Sequence, residues 1–142
     1  MMDTGKPIRH VVRVQAPIDV VRTYFTDPKR MAEWWPTRAT IDARKGGEIE
    51  LEFDTPDGKT DRARGTITEL ERDRIVLTWG FERDVDLPPG SSRVEISLEP
   101  DGVATVVRLE HHGLPASHRQ KHDDGWSYFL ARLRTVAGSV DR

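Results

Sequence analysis

One long apolar stripe near the C-terminus constrains this chain more than any other feature. Trp126, Phe129, Leu130, Leu133 and Ala137 fall at i, i+3, i+4, i+7 and i+11, which puts them on one face of a helix. Ser117-His-Arg-Gln120 ahead of the stripe has the capping-box form, and Gly138 can end it, so the spacing predicts a helix over residues 117–137. Arg132 and Arg134 lie off the stripe. A helix with one apolar face must bury it against another element.

The rest of the chain offers mainly strands for that purpose. Ile8, His10, Val12 and Val14 alternate with Arg9, Val11 and Arg13, the period of a half-buried strand. Pro17 suits the first turn of a helix, and Val20, Val21, Tyr24 and Phe25 recur at helical spacing. Asp27-Pro28 opens a second short helix, with Met31, Trp34 and Trp35 as its apolar side and Pro36 as its stop. Strands then take over. Ile49, Leu51 and Phe53 alternate with Glu48, Glu50, Glu52 and Asp54, and Pro56-Asp57-Gly58 turns the chain. A strand runs from about Arg62 to Leu70. Ile75, Leu77, Trp79 and Phe81 share a face of the next, and Pro88-Pro89-Gly90 forms a loop. Val94, Ile96 and Leu98 alternate, Asp101-Gly102 turns, and Thr105, Val107, Leu109 and His111 share the last inner face. Short loops between strands favour an antiparallel meander. The economical arrangement is an α+β fold in which a curved antiparallel sheet of about six to seven strands wraps the terminal helix, with two short helices after the first strand.

Composition limits what such a domain does. At 142 residues the chain fits one domain, expected over 8–138, with a flexible N-terminus at 1–7 and a tail at 139–142. There is no cysteine, so disulfides, thiol nucleophiles and thiolate metal sites are excluded. The 22 basic and 24 acidic residues give a net charge of −2, which argues against a nucleic-acid binder. No apolar run approaches the roughly 20 residues of a membrane span, and Met1 to Lys6 shows no signal-peptide core. A cytoplasmic location is the expectation.

A series of short motifs carries a resemblance across residues 8–137. In order these are Val14-x-Ala16-Pro17-x-x-Val20, Asp27-Pro28, Trp34-Trp35, Gly46-Gly47, Gly65-Thr66-Ile67-x-Glu69, Leu77-Thr78-Trp79, His111-x-Gly113-Leu114 and His122-x-x-Gly125-Trp126-x-x-x-Leu130-x-x-Leu133. The series resembles the bacterial branch of the family named for the activator of the ninety-kilodalton heat-shock chaperone's ATPase. That family lies within the SRPBCC superfamily of START-like proteins. The resemblance implies the helix-grip fold and a cavity between sheet and helix. It does not imply a chaperone partner, because the eukaryotic co-chaperones carry an additional N-terminal domain for which this sequence has no room.

The residues suggest what such a cavity holds. Four tryptophans stand in a chain that is only 7% aromatic. Trp34, Trp35, Phe53, Trp79, Phe81, Trp126 and Phe129 form an aromatic set expected to face one another, and all of these but Trp35 are taken as candidates to line a pocket of roughly 300–1,000 Å³, with Leu130 and Leu133 below them. His111 and Glu69 face inward by strand parity, so His111 is a candidate polar hook or general base, and His10 a candidate partner for it. His118 and His122 are four apart on the helix, but there is no HExxH and no fixed carboxylate beside them, so no metal is assigned. The chain also lacks G-x-S-x-G, a P-loop and G-x-G-x-x-G, and Gly46-Gly47 is too short to cradle a phosphate. No catalytic residue and no cofactor are assigned. The favoured reading is a non-enzymatic binder of a small apolar or amphipathic ligand, with room for a homodimer. Two alternatives stand beside it: a small cyclase, dehydrase or hydrolase using His111 and Glu69, and a stress-related or co-chaperone-like interaction module.

Overall fold

The computed structural model describes residues 6–138. In chain order the elements are β1 (Ile8–Val14), α1 (Ile18–Thr26), α2 (Pro28–Trp34), β2 (Arg38–Ile41), β3 (Glu48–Asp54), β4 (Thr60–Leu70), β5 (Arg74–Phe81), β6 (Ser92–Asp101), β7 (Ala104–His112) and α3 (Ala116–Ala137). The seven strands form one antiparallel sheet in the order β1-β7-β6-β5-β4-β3-β2. One face of the sheet closes over α3, as the stripe requires. The termini expected to be flexible fall outside the described residues, apart from Lys6 and Pro7. Among the described residues no helix is long and apolar enough to cross a membrane.

The expected punctuation marks most of the boundaries. The Asp27 carboxylate accepts the Lys29 N–H at 3.0 Å and caps α2, with Pro28 at its first position. Gly46 takes a φ of +86°, and a Cβ on Gly47 would sit 1.9 Å from the Asp42 carbonyl oxygen, so the turn into β3 requires both glycines. Strand β2 is too short for its alternation to stand out in the sequence. Its four residues pair Ala39 with Leu51 and Ile41 with Ile49 at the edge of the sheet. The start of α3 also differs from expectation. Pro115 is its N-cap without a side-chain bond, and Ser117 lies inside the helix, so no capping box forms.

A bulge in β4 overturns the inward assignment of Glu69. Ile67 pairs with Leu77, but Glu69 pairs with Val76 and Leu70 with Ile75, so the register shifts between Ile67 and Glu69. One extra residue reverses the parity of the rest of the strand. Leu70 therefore packs on the core, and the Glu69 carboxylate is 40% exposed in an ion pair with Arg74 at 3.2 Å. The outer face carries further cross-strand ion pairs. Arg38 bridges Glu52 and Asp54, and Arg62 bridges Glu50 and Glu52.

The buried face of α3 consists of His122, Trp126, Leu130, Leu133 and Ala137. Phe129 is only half-buried. Leu133 is completely buried, so Leu133→Ala is expected to lower the unfolding free energy by about 2–5 kcal/mol in urea titration. An unchanged midpoint would mean that the helix does not pack on the sheet.

Candidate functional site

A cavity of about 280 Å³ opens between the sheet and the middle of α3. Phe53, Trp79 and Phe81 reach it from the strands, Trp35 from the end of α2, and Trp126 and Phe129 from α3. The volume is just below the lower end of the expected range. Trp79 is the central ring. It stacks on Trp35 at 5.5 Å with the planes 11° apart, and it meets Phe81 edge-on at 5.5 Å. Phe53 joins the two sides, 6.4 Å from Trp79 and 5.9 Å from Phe129.

The paired tryptophans divide differently from the sequence reading. Trp34, expected as a lining residue, is fully buried, packs edge-on against Phe25, and donates its N–H to the Tyr24 carbonyl at 2.9 Å. The ring in the cavity is its neighbour Trp35. Helix α2 ends at Trp34, and Trp35 leaves helical geometry at φ −117°, ψ −90°; the two indoles stay stacked at 5.2 Å, with Trp34 on the core side and Trp35 bordering the cavity. Arg132 of α3 fixes this corner by donating to the carbonyls of Glu33 and Trp34. Leu130 and Leu133 are buried in the core beside the cavity rather than at its surface.

His111 is not a hook. It is fully buried on β7 behind the cavity wall, and both its ring nitrogens are occupied. The Trp126 indole N–H donates to His111 Nδ1 at 3.0 Å, and His111 Nε2 lies 2.9 Å from the Ser92 hydroxyl. An indole is donor-only, so Nδ1 must be the acceptor and Nε2 carries the proton toward Ser92. The Ser92 hydroxyl donates its own hydrogen bond to the Trp79 carbonyl at 2.9 Å. His10, the expected partner, is instead held by Asp123 of α3 at 2.7 Å.

His122 repeats the arrangement from the other side. The Trp79 N–H donates to His122 Nε2 at 3.1 Å, and His122 Nδ1 donates to the His118 carbonyl at 3.0 Å. No local pattern signals this bond, because Trp79 and His122 are 43 residues apart. His118 Nε2 in turn meets the Asp84 carboxylate of the β5–β6 loop at 2.7 Å, at the edge of the cavity.

Two further cavity residues, Lys121 and Asp61, escaped the sequence reading because exposed charges at a strand start and on a helix look like ordinary surface. Gly125 also borders the cavity, and nothing lies within 4 Å of where its Cβ would be. As for metal-capable groups, Glu95, Glu110 and His112 place ligand atoms within 4.8 Å of one another. They lie on the outer face, where Arg93 and Arg74 hold Glu95 and Arg9 holds Glu110.

These features agree with comparisons to known proteins. The family model for activator of Hsp90 ATPase homolog 1-like proteins matches residues 15–138. The chain belongs to this family. A search of the curated proteins returned no match. Among solved structures, CV1439 from Chromobacterium violaceum is 25% identical with a TM-score of 0.82, over 94% of this chain and 98% of that one. CalU16 from Micromonospora echinospora is 28% identical with a TM-score of 0.74, over 95% and 77%. DynU16, a protein of the dynemicin biosynthetic locus, is 26% identical with a TM-score of 0.78. The match covers 94% of this chain but only 48% of DynU16, so the chain spans about half the length of that relative.

The histidine environment has a consequence for stability within this family fold. Burial, reinforced by the nearby His122 and His112, holds the His111 imidazolium far below its ordinary value of 6.5. Burial likewise pushes His122 down to about 4, with the bond to the His118 carbonyl opposing the shift. Below about pH 6.5 the unfolded chain binds protons that the folded one refuses. Stability is therefore complete above that pH and is lost as pH falls toward 4, by up to about 1.4 kcal/mol per pH unit for each histidine. Urea unfolding between pH 7.5 and 5.0 should show this slope, and His122→Gln should reduce it. Equal slopes in the two proteins would mean that His122 is charged in the folded state.

Proposed function

We propose that this protein is a non-enzymatic carrier or receptor for a small apolar or amphipathic molecule held between the sheet and α3. The observation that supports it is the aromatic cavity, six rings from both sides of the interface around about 280 Å³. Ordinary interiors are packed without such space, and concave aromatic sites of this kind suit small ligands. The indole N–H groups of Trp79 and Trp126 are already bonded to His122 and His111, so these two walls act through shape and dispersion. A relative from a biosynthetic locus is in keeping with a small-molecule ligand.

The acid–base alternative has less support. Glu69 is on the outer face with Arg74, and His111 has no free nitrogen with which to take a proton from a ligand. The interaction-module alternative calls for an exposed apolar patch. The large apolar side chains exposed among the described residues are Val11, Val85, Val103 and Tyr128, and they come from four separate segments.

The test uses Gly125. A Cβ added there meets nothing within 4 Å and points a longer side chain into the space beside the cavity. Replacing glycine inside a helix also favours folding by up to about 1 kcal/mol. Gly125→Leu should keep or raise its unfolding midpoint yet lose tenfold or more in affinity for aromatic and acyl compounds that change tryptophan fluorescence saturably in the native protein. Equal affinity in both proteins, or no saturable change with any compound, would count against the cavity as the binding site.

A further inference from the structure

The aromatic cavity has a polar annex. A cleft of about 410 Å³ adjoins it, and Asp61, Phe81, Lys121 and His122 border both spaces. The two compartments have opposite chemistry. In the aromatic one, the indole N–H groups of Trp79 and Trp126 are committed to His122 and His111. A polar atom placed against these two indoles would find both donors taken and would weaken binding. An apolar body suits this wall, and a charged group on the ligand is better placed in the cleft.

Charge pairing in the cleft shows the sign of that group. Arg62 is bridged to Glu52 at 2.9 Å and Glu50 at 3.2 Å. Glu82 is held by Arg64 at 2.7 Å. Asp84 is held by His118 and by the backbone N–H groups of Asp86 and Leu87. Three charged residues of the lining remain: Lys121 on α3, Arg83 in the loop after β5, and Asp61 on β4. Among the described residues none of the three has an ion-pair partner, and two of them are cations. The charge of Lys121 reaches the cavity wall itself, since it helps to keep the neighbouring His122 neutral.

We propose that the ligand has a flat apolar body and a single anionic group at one end, and that Lys121 and Arg83 hold the anion in the cleft. This inference rests on the binding reading above and narrows it to aromatic or polycyclic acids. The body packs against the aromatic side chains that border the cavity, and the acid stays in partly hydrated surroundings where its charge is not stripped of water.

The experiment compares three probes with one ring system: 2-naphthoate, the neutral 2-naphthamide and the cationic 2-naphthylmethylammonium. Each is titrated by calorimetry at pH 7.5 and low salt. An exposed ion pair contributes up to about fivefold in affinity. The naphthoate should therefore bind about five- to twenty-fivefold more tightly than the amide, with the ammonium weakest. The advantage should shrink as salt is raised. In the Lys121→Gln, Arg83→Gln double variant the ratio of acid to amide should fall to about one. Equal affinities for all three probes, or a preference for the ammonium at Asp61, would overturn the anionic assignment and leave the cavity reading standing. Absence of binding of all three, with neither heat at two temperatures nor a saturable change in tryptophan fluorescence, would overturn both.

Discussion

Two indole N–H groups cross the interface between the sheet and the terminal helix in opposite directions. Trp79 of β5 donates to His122 of α3, and Trp126 of α3 donates to His111 of β7. Each element thus supplies one ring donor and receives one. Hydrogen bonds of this kind are costly to leave unmade when buried. They fix the rotation of α3 about its axis and its position along it, which apolar contacts alone specify loosely. The chain from His111 through Ser92 to the Trp79 carbonyl ties β7, β6 and β5 into the same network. The position of Trp79, and so the back wall of the cavity, depends on this cross-bracing.

The same bonds determine what the cavity can do. They occupy both ring nitrogens of His111 and His122 and the N–H groups of Trp79 and Trp126. What borders the cavity is a set of aromatic side chains beside the space that a side chain at Gly125 would enter. Charge is kept to the mouth, where the β5–β6 loop and the first turns of α3 meet. The His118–Asp84 pair fastens that loop to the helix, and Leu87, fully buried, anchors its other side. The scaffold is rigid where a ligand would stack and charged where the ligand would meet water.

The fold could be read from the chain because its signals are local and agree with one another. The stripe from Trp126 to Ala137, the alternation of Ile49, Leu51 and Phe53, and the turn at Pro56-Asp57-Gly58 each specify one element. The site was harder to read because it depends on events that periodicity does not encode. A bulge after Ile67 turns Glu69 outward, though strict alternation sends it inward. A single non-helical residue decides between Trp34 and Trp35. Strand parity correctly turned His111 toward the interior, yet it could not show that Trp126 and Ser92 would take both nitrogens. Those partners come from α3 and β6, and which nitrogen meets which group depends on how those elements dock.

The central claim is that neutral imidazoles accept the two indole protons. Long-range proton–nitrogen correlation of the histidine rings at pH 7 tests it most directly. Cross-bracing predicts an unprotonated Nδ1 with a protonated Nε2 in His111, and the reverse tautomer in His122, with hydrogen-bonded indole protons for Trp79 and Trp126. Reversed tautomers, or either ring doubly protonated at that pH, would contradict it.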